Sequence, residues 1–198
     1  MQNKHLAIFL SCIILGACST RDLQDTFAGS TSQRLVSHSI DDLVSSLSDP
    51  YLDQLKNKKV FLNSYFLSDS SLKNYADERL SIELAGRFGA KVVKTQADSE
   101  SVMTVFYTSL GTDIDSFGIS IPLGYVPGID DSTKLNIITL EKFHGISELY
   151  YYIGETGHEH RSKVIQAKVK TDALGLPFIT IPLSNVDRHD TIMTKFTE

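Results

Sequence analysis

The tightest constraint on the fold is a strand-like run, a helix-like run and a second strand-like run within about thirty-five residues, between Lys58 and Lys94. The stretch KKVFLNSYFL, residues 58–67, is short, apolar, aromatic and β-branched, as suits a strand buried on both faces. In NYADERLSIELAGRF, residues 74–88, Ala76, Leu80, Leu84, Ala85 and Phe88 share one helical face, and Gly89 follows where a left-handed C-cap belongs. AKVVK comes next as a second short strand. That order predicts a βαβ-like or α/β-layer unit.

A further helix is expected over residues 30–47, where Val36, Ile40, Leu43, Val44 and Leu47 repeat at helical spacing and Ser30 with Gln33 has the form of a capping box. Pro50 should end it by moving Asp49 out of helical geometry. The rest reads as sheet. SVMTVFYTSL (101–110) is a strand followed by a turn at GTDID, and KLNIITLEKF (134–143) and GISELYYYIG (145–154) pair through a turn at His144 and Gly145. SKVIQAKVKT (162–171) alternates as a half-solvated edge strand does. The expected fold class is α/β (α+β): one domain over residues 31–198, with a twisted, mostly antiparallel sheet covered on one face by two helices.

The first residues form a leader. Lys4 precedes the apolar run Leu6 to Leu15, which is too short to span the ~30 Å hydrocarbon core as a helix, and small residues close it. Leu15, Gly16, Ala17 and Cys18 resemble the lipobox of bacterial lipoproteins. The resemblance implies a signal peptide over residues 1–17, lipidation at Cys18 and a mature chain that begins there. Ser19 in place of aspartate implies, by the same resemblance, the outer membrane, on its periplasmic face. Residues 18–30 lack periodicity and read as a lipidated flexible tether. The chain's two cysteines, Cys12 and Cys18, would both be consumed by processing, which leaves no thiol for a disulfide, a metal or nucleophilic catalysis. A formal net charge of −5 without a basic run argues against nucleic acid and against electrostatic binding to anionic lipid.

A broader resemblance follows from element order over residues 30–112. A capped helix, KKVFLNSYF, a helix ending in GRFGAKVVKTQADSES, and then VMTVFYTSLGTD are similar to the small α/β domains of envelope lipoproteins of the flagellar FlgO type, the curli-secretion CsgG N-terminal type and the LpoB type. It resembles most nearly uncharacterised proteobacterial lipoproteins of that architecture. The resemblance implies binding or assembly at the envelope.

One segment stands out as a candidate interaction surface. Phe117, Ile119, Ile121, Leu123 and Tyr125 alternate strictly with small or polar residues. A transmembrane β-strand alternates in this way, yet Pro122 cannot donate to a ladder and two glycines weaken the strand. The favoured expectation is therefore a covering loop or edge strand packed on the domain, ahead of an exposed partner-binding surface.

Chemistry is sparse. His158 and His160 in GHEH suit a solvated turn better than a zinc site, because no third ligand is spaced to join them. Asp113 and Asp115 suit turn hydrogen bonding better than acid–base work, and His144 and His189 stand alone as surface or half-buried residues. Tyr150 and Tyr152 should share one sheet face, with Tyr151 on the other. No nucleophile elbow, phosphate-binding glycine loop or zinc-protease helix is present. The expected function is a non-catalytic outer-membrane lipoprotein without a cofactor, held to the membrane through Cys18 and bound to an envelope partner or to a second copy of itself. The alternative is a lipid-anchored periplasmic hydrolase with an unrecognised site.

Overall fold

The computed structural model describes residues 20–23, 30–67, 71–123, 127–128, 134–177 and 179–183. The leader, Cys18, most of the stretch read as a tether, Tyr125 and His189 lie outside them. The chain divides into two compact units. Among the described residues, a helical unit comprises those within Phe27–Thr112 and Gly145–Val169, and a strand unit those within Met1–Thr26, Asp113–His144 and Lys170–Glu198.

The helical unit carries the elements whose periodicity is plain. Helix α1 (Ser30–Ser45) and helix α2 (Ser71–Phe88) flank strand β2 (Lys59–Phe66), and strand β3 (Lys91–Val93) pairs parallel to β2 with Lys59 opposite Lys91. This is the expected βαβ arrangement. Gly89 takes φ 62°, its N–H reaches the Ala85 carbonyl at 3.0 Å, and α2 ends there. Pro50 does more than close α1, because it opens a short 3-10 helix (Pro50–Leu55) capped by Asp49, whose side chain accepts from the Tyr51 N–H at 2.9 Å.

Strand β4 (Ser101–Pro122) runs parallel to β2, with Val60 opposite Ser101 and Phe66 opposite Tyr107. The remaining strands are β1 (Thr20–Leu23), β5 (Lys134–Gly154), β6 (His160–Arg161), β7 (Ile165–Gly175) and β8 (Thr180–Pro182). The order is β3-β2-β4-β5-β7-β8, with β1 on β4 and β6 on β5, and the sheet is mixed but mostly antiparallel. Three expectations change here. The turn expected at GTDID does not form, since β4 continues unbroken through it, and the turn expected at His144 and Gly145 is likewise the middle of β5. Thr20–Leu23, read as tether, form a strand antiparallel to Asp113–Ser116. The segment 162–171, read as an edge strand, enters β7 at Ile165, and β8 pairs only with the residues beyond it, Ala173–Gly175; Val169 is half-buried between exposed Lys168 and Lys170 as expected, whereas Val164 is exposed.

Alternation explains the core. From β4, Met103, Val105 and Tyr107 face the helices, and from β5, Leu149, Tyr151 and Ile153 do, meeting Ile40, Leu43, Val44 and Leu47 of α1 and its end and Ala76, Leu80 and Leu84 of α2. The same face of β5 begins with two small residues. Gly145 lies so close to the Leu35 carbonyl that a Cβ would overlap it, and Ser147 meets Ser39 of α1 at 2.7 Å. Ser39 donates its own proton to the Val36 carbonyl at 2.8 Å, so Ser147 is the donor in that pair. Glycine at 145 therefore serves helix approach rather than chain reversal. Further along, Asp77 of α2 accepts from Ser64 (2.6 Å), Lys73 (2.9 Å) and Tyr107 (2.9 Å), which ties the helix to β2 and β4.

Two tests follow from this packing. Gly145→Ala should lower unfolding free energy in urea by about 1–3 kcal/mol, because the added carbon meets helix backbone rather than a flexible side chain; an unchanged midpoint would mean that α1 is not seated there. The second concerns pH. Burial first, and the Asp77 carboxylate second, raise the Tyr107 phenol above its ordinary value of 10.0. The unfolded chain then gives up this proton at lower pH than the folded one, so the contribution is whole below about pH 10 and is lost as pH climbs beyond it. Between about pH 9 and about pH 11 the melting temperature should fall. Tyr107→Phe should start lower, by about 1–2 kcal/mol, and fall less steeply; equal slopes in the two proteins would refute the assignment.

Candidate functional site

Two surfaces deserve comparison as sites: a cleft in the helical unit and an apolar face in the strand unit. The cleft, of about 720 Å³, is lined by Ser46, Asp49, Tyr51, His160 and Lys163 among others. Its centre follows from local structure. Pro50 fixes the start of the 3-10 helix, so Asp49 Oδ1 caps it and Oδ2 points to His160 Nε2 at 3.3 Å. The Tyr51 ring lies flat on the imidazole, with centroids 3.3 Å apart and planes 18° apart. β6 delivers His160 by pairing it with Ile153. Tyr151 projects beneath, and its phenol is raised above the ordinary range by burial first and by the Asp49 carboxylate second, so it stays neutral.

Such a pair orients an imidazole but needs a nucleophile or metal to act on a substrate. Of the cleft's three serines, Ser46 donates to the Leu43 carbonyl at 2.7 Å, Ser162 donates to the Lys163 carbonyl at 2.8 Å, and Ser48 is exposed. Among the described residues no three histidine, cysteine or acidic side chains gather as a metal would need. His158 is exposed and apart from this arrangement. The turn between β5 and β6 is instead organised by Glu159, which accepts from the Thr156 N–H (2.8 Å), the Thr156 hydroxyl (2.7 Å) and the His158 N–H (2.8 Å). Those donors lower its carboxyl to about 2. The Asp49–His160 pair has no sequence signature, because 111 residues separate its members.

The open face of the same unit carries Tyr65, Phe106 and Tyr150 from three adjacent strands. Their rings stack with centroids 5.1 and 5.2 Å apart, Tyr152 meets Tyr150 edge-on, and the Arg161 guanidinium lies 4.8 Å above Tyr150. Tyr150 and Tyr152 share this face while Tyr151 is buried on the other, as the alternation predicts.

In the strand unit, Phe117, Ile119 and Ile121 are 61%, 52% and 48% exposed. Leu123 is half-buried, and Tyr125 lies outside the described residues. The expectation that this segment packs on its own domain is corrected for Phe117, Ile119 and Ile121: they lie in the far part of β4 and are exposed. Ile137, Ile138, Ile179, Ile181 and Leu183 of the same unit are exposed as well. Asp113 and Asp115 do not form an acid–base pair in a turn. They lie in the ladder opposite Leu23 and Arg21, and Asp115 faces His144 Nε2 at 3.1 Å. His144, expected to stand alone near the surface, is buried.

No family model, curated protein or solved structure matches this chain.

Exposure of the β4 segment has a direct test. Ile119→Ser combined with Ile121→Ser should shift the melting temperature by no more than about 2 °C, since substitutions at exposed sites usually stay within about 0.5 kcal/mol. A loss of several degrees would show both side chains to be buried.

Proposed function

We propose that the chain is a lipid-anchored outer-membrane lipoprotein on the periplasmic side, which acts by contact within an envelope assembly rather than by catalysis. The observation that carries this reading is the exposed apolar run Phe117, Ile119 and Ile121, with Ile137, Ile138, Ile179, Ile181 and Leu183 of the same unit exposed as well. Contiguous exposed apolar surface on a soluble domain marks a place where something else binds. The leader supports the address: an apolar run too short to span a bilayer ends at Leu15, Gly16, Ala17 and Cys18. Among the described residues no helix is long and apolar enough to cross a membrane. The Asp49–His160 pair favours a second reading, a lipid-anchored hydrolase working in the cleft.

The anchor is tested by Cys18→Ala. Incorporation of labelled fatty acid should disappear, and the protein should leave the outer-membrane fraction or keep its leader. Retention of intact variant in that fraction after a carbonate wash, at the level of the unaltered protein, would overturn lipid anchoring. His160→Ala separates the two functional readings, because contact with a partner should survive it whereas hydrolysis in the cleft should not.

A further inference from the structure

We infer that the apolar segment centred on Phe117, Ile119 and Ile121 lies in the lipid surface that holds the acyl chains of Cys18. The inference rests on the anchoring proposed above and names the occupant of the apolar face as a phospholipid bilayer.

The strand register supplies the first reason. β1 begins at Thr20, and Thr20 is opposite Ser116, the residue immediately before Phe117. Cys18 precedes Thr20 by two residues, so its Cα lies within about 7 Å of the Thr20 Cα. The lipid is therefore attached beside the uncovered apolar side chains, not at the end of a long spacer.

Side-chain allotment supplies the second. Among the described residues, the hydrophobic core cluster belongs to the helical unit. Of the strand unit's large apolar side chains, Phe117, Ile119, Ile121, Ile137 and Ile138 are exposed, while Ile114, Leu140 and Phe143 are among those half-buried. An apolar face without a core partner is stabilised by leaving water, and the nearest apolar phase is the one the anchor enters.

Amphipathicity and length set the depth. Phe117, Ile119 and Ile121 point to one side of β4 with Gly118 and Ser120 between them, and the same side carries Asp115 and Asp113 further along. Those carboxylates mark where water resumes. From Phe117 to Ile121 the strand covers about 13 Å, well short of the nine to eleven residues a membrane-spanning strand takes. An apolar face of this size suits a position about 5–10 Å into the boundary between headgroups and acyl chains. Weak intrinsic affinity suffices, because the covalent lipid holds the segment at high local concentration against the bilayer.

The protein has no tryptophan, so Phe117→Trp supplies a single reporter. The full-length lipidated chain would be reconstituted into phosphatidylcholine vesicles with and without bromine on the acyl chains, and lipid on Cys18 would be verified by mass. Emission should be blue-shifted and quenched at least twofold by brominated lipid, and Ile121→Trp should behave alike. Water-like, unquenched emission from both variants on a lipidated chain overturns the inference and leaves anchoring intact. Blue-shifted emission without bromine quenching overturns it too, in favour of cover by a second copy or another protein. A chain whose mass shows no lipid removes both the anchor and the inference.

Discussion

Everything in the helical unit depends on how closely α1 and α2 sit on the odd-numbered side chains of β4 and β5. That face grades from small to large along β5, through Gly145, Ser147, Leu149, Tyr151 and Ile153. The gradient lets α1 approach backbone at one end and rest on bulky side chains at the other, with the Ser39–Ser147 pair satisfying the hydroxyls trapped between. On the outer surface of the two helices, Arg79 of α2 reaches Asp41 of α1 at 2.5 Å, and Arg87 reaches the Ser45 carbonyl at 3.3 Å. These exposed links add little beside the burial of Ile40, Leu43, Leu80 and Leu84.

The two units divide the buried apolar residues unequally among the described residues. Where helices cover the sheet, the opposite face is filled by Tyr65, Phe106, Tyr150 and Tyr152, whose rings shield one another and take an arginine above them. In the strand unit, Phe117, Ile119, Ile121, Ile137 and Ile138 are left to solvent.

Legibility in the sequence followed the strength of local signals. The helices and the βαβ order were readable because Ala76, Leu80 and Leu84 repeat at helical spacing and because Gly89 needs a positive φ that its neighbours would resist. The lengths of β4 and β5 were not readable. Gly111, Asp113 and Asp115 look like turn chemistry, and so does Gly145, yet the aspartates sit in a ladder with β1 and Gly145 makes room for Leu35. Both causes are long-range, and no local window contains them. The alternation of Phe117, Ile119 and Ile121 was visible, but alternation says only that one face is apolar, and the choice between a covered and an open face depends on which elements lie above it. Asp49 and His160 lacked even that much, since each is ordinary in its own neighbourhood.

Asp77 has a consequence for how the chain finds this arrangement. If β2 and β4 slipped past each other by two residues, every apolar side chain would stay on its proper side, so hydrophobic burial alone rejects such a state only weakly. The slip would, however, carry the Tyr107 hydroxyl about 6.6 Å along the strand and away from the carboxylate that Ser64 and Lys73 also serve. A buried phenol and an under-bonded carboxylate would result together. In the language of energy landscapes, one acidic side chain on α2 opens a gap between the native pairing and its nearest competitor, and it does so where greasy residues are indifferent.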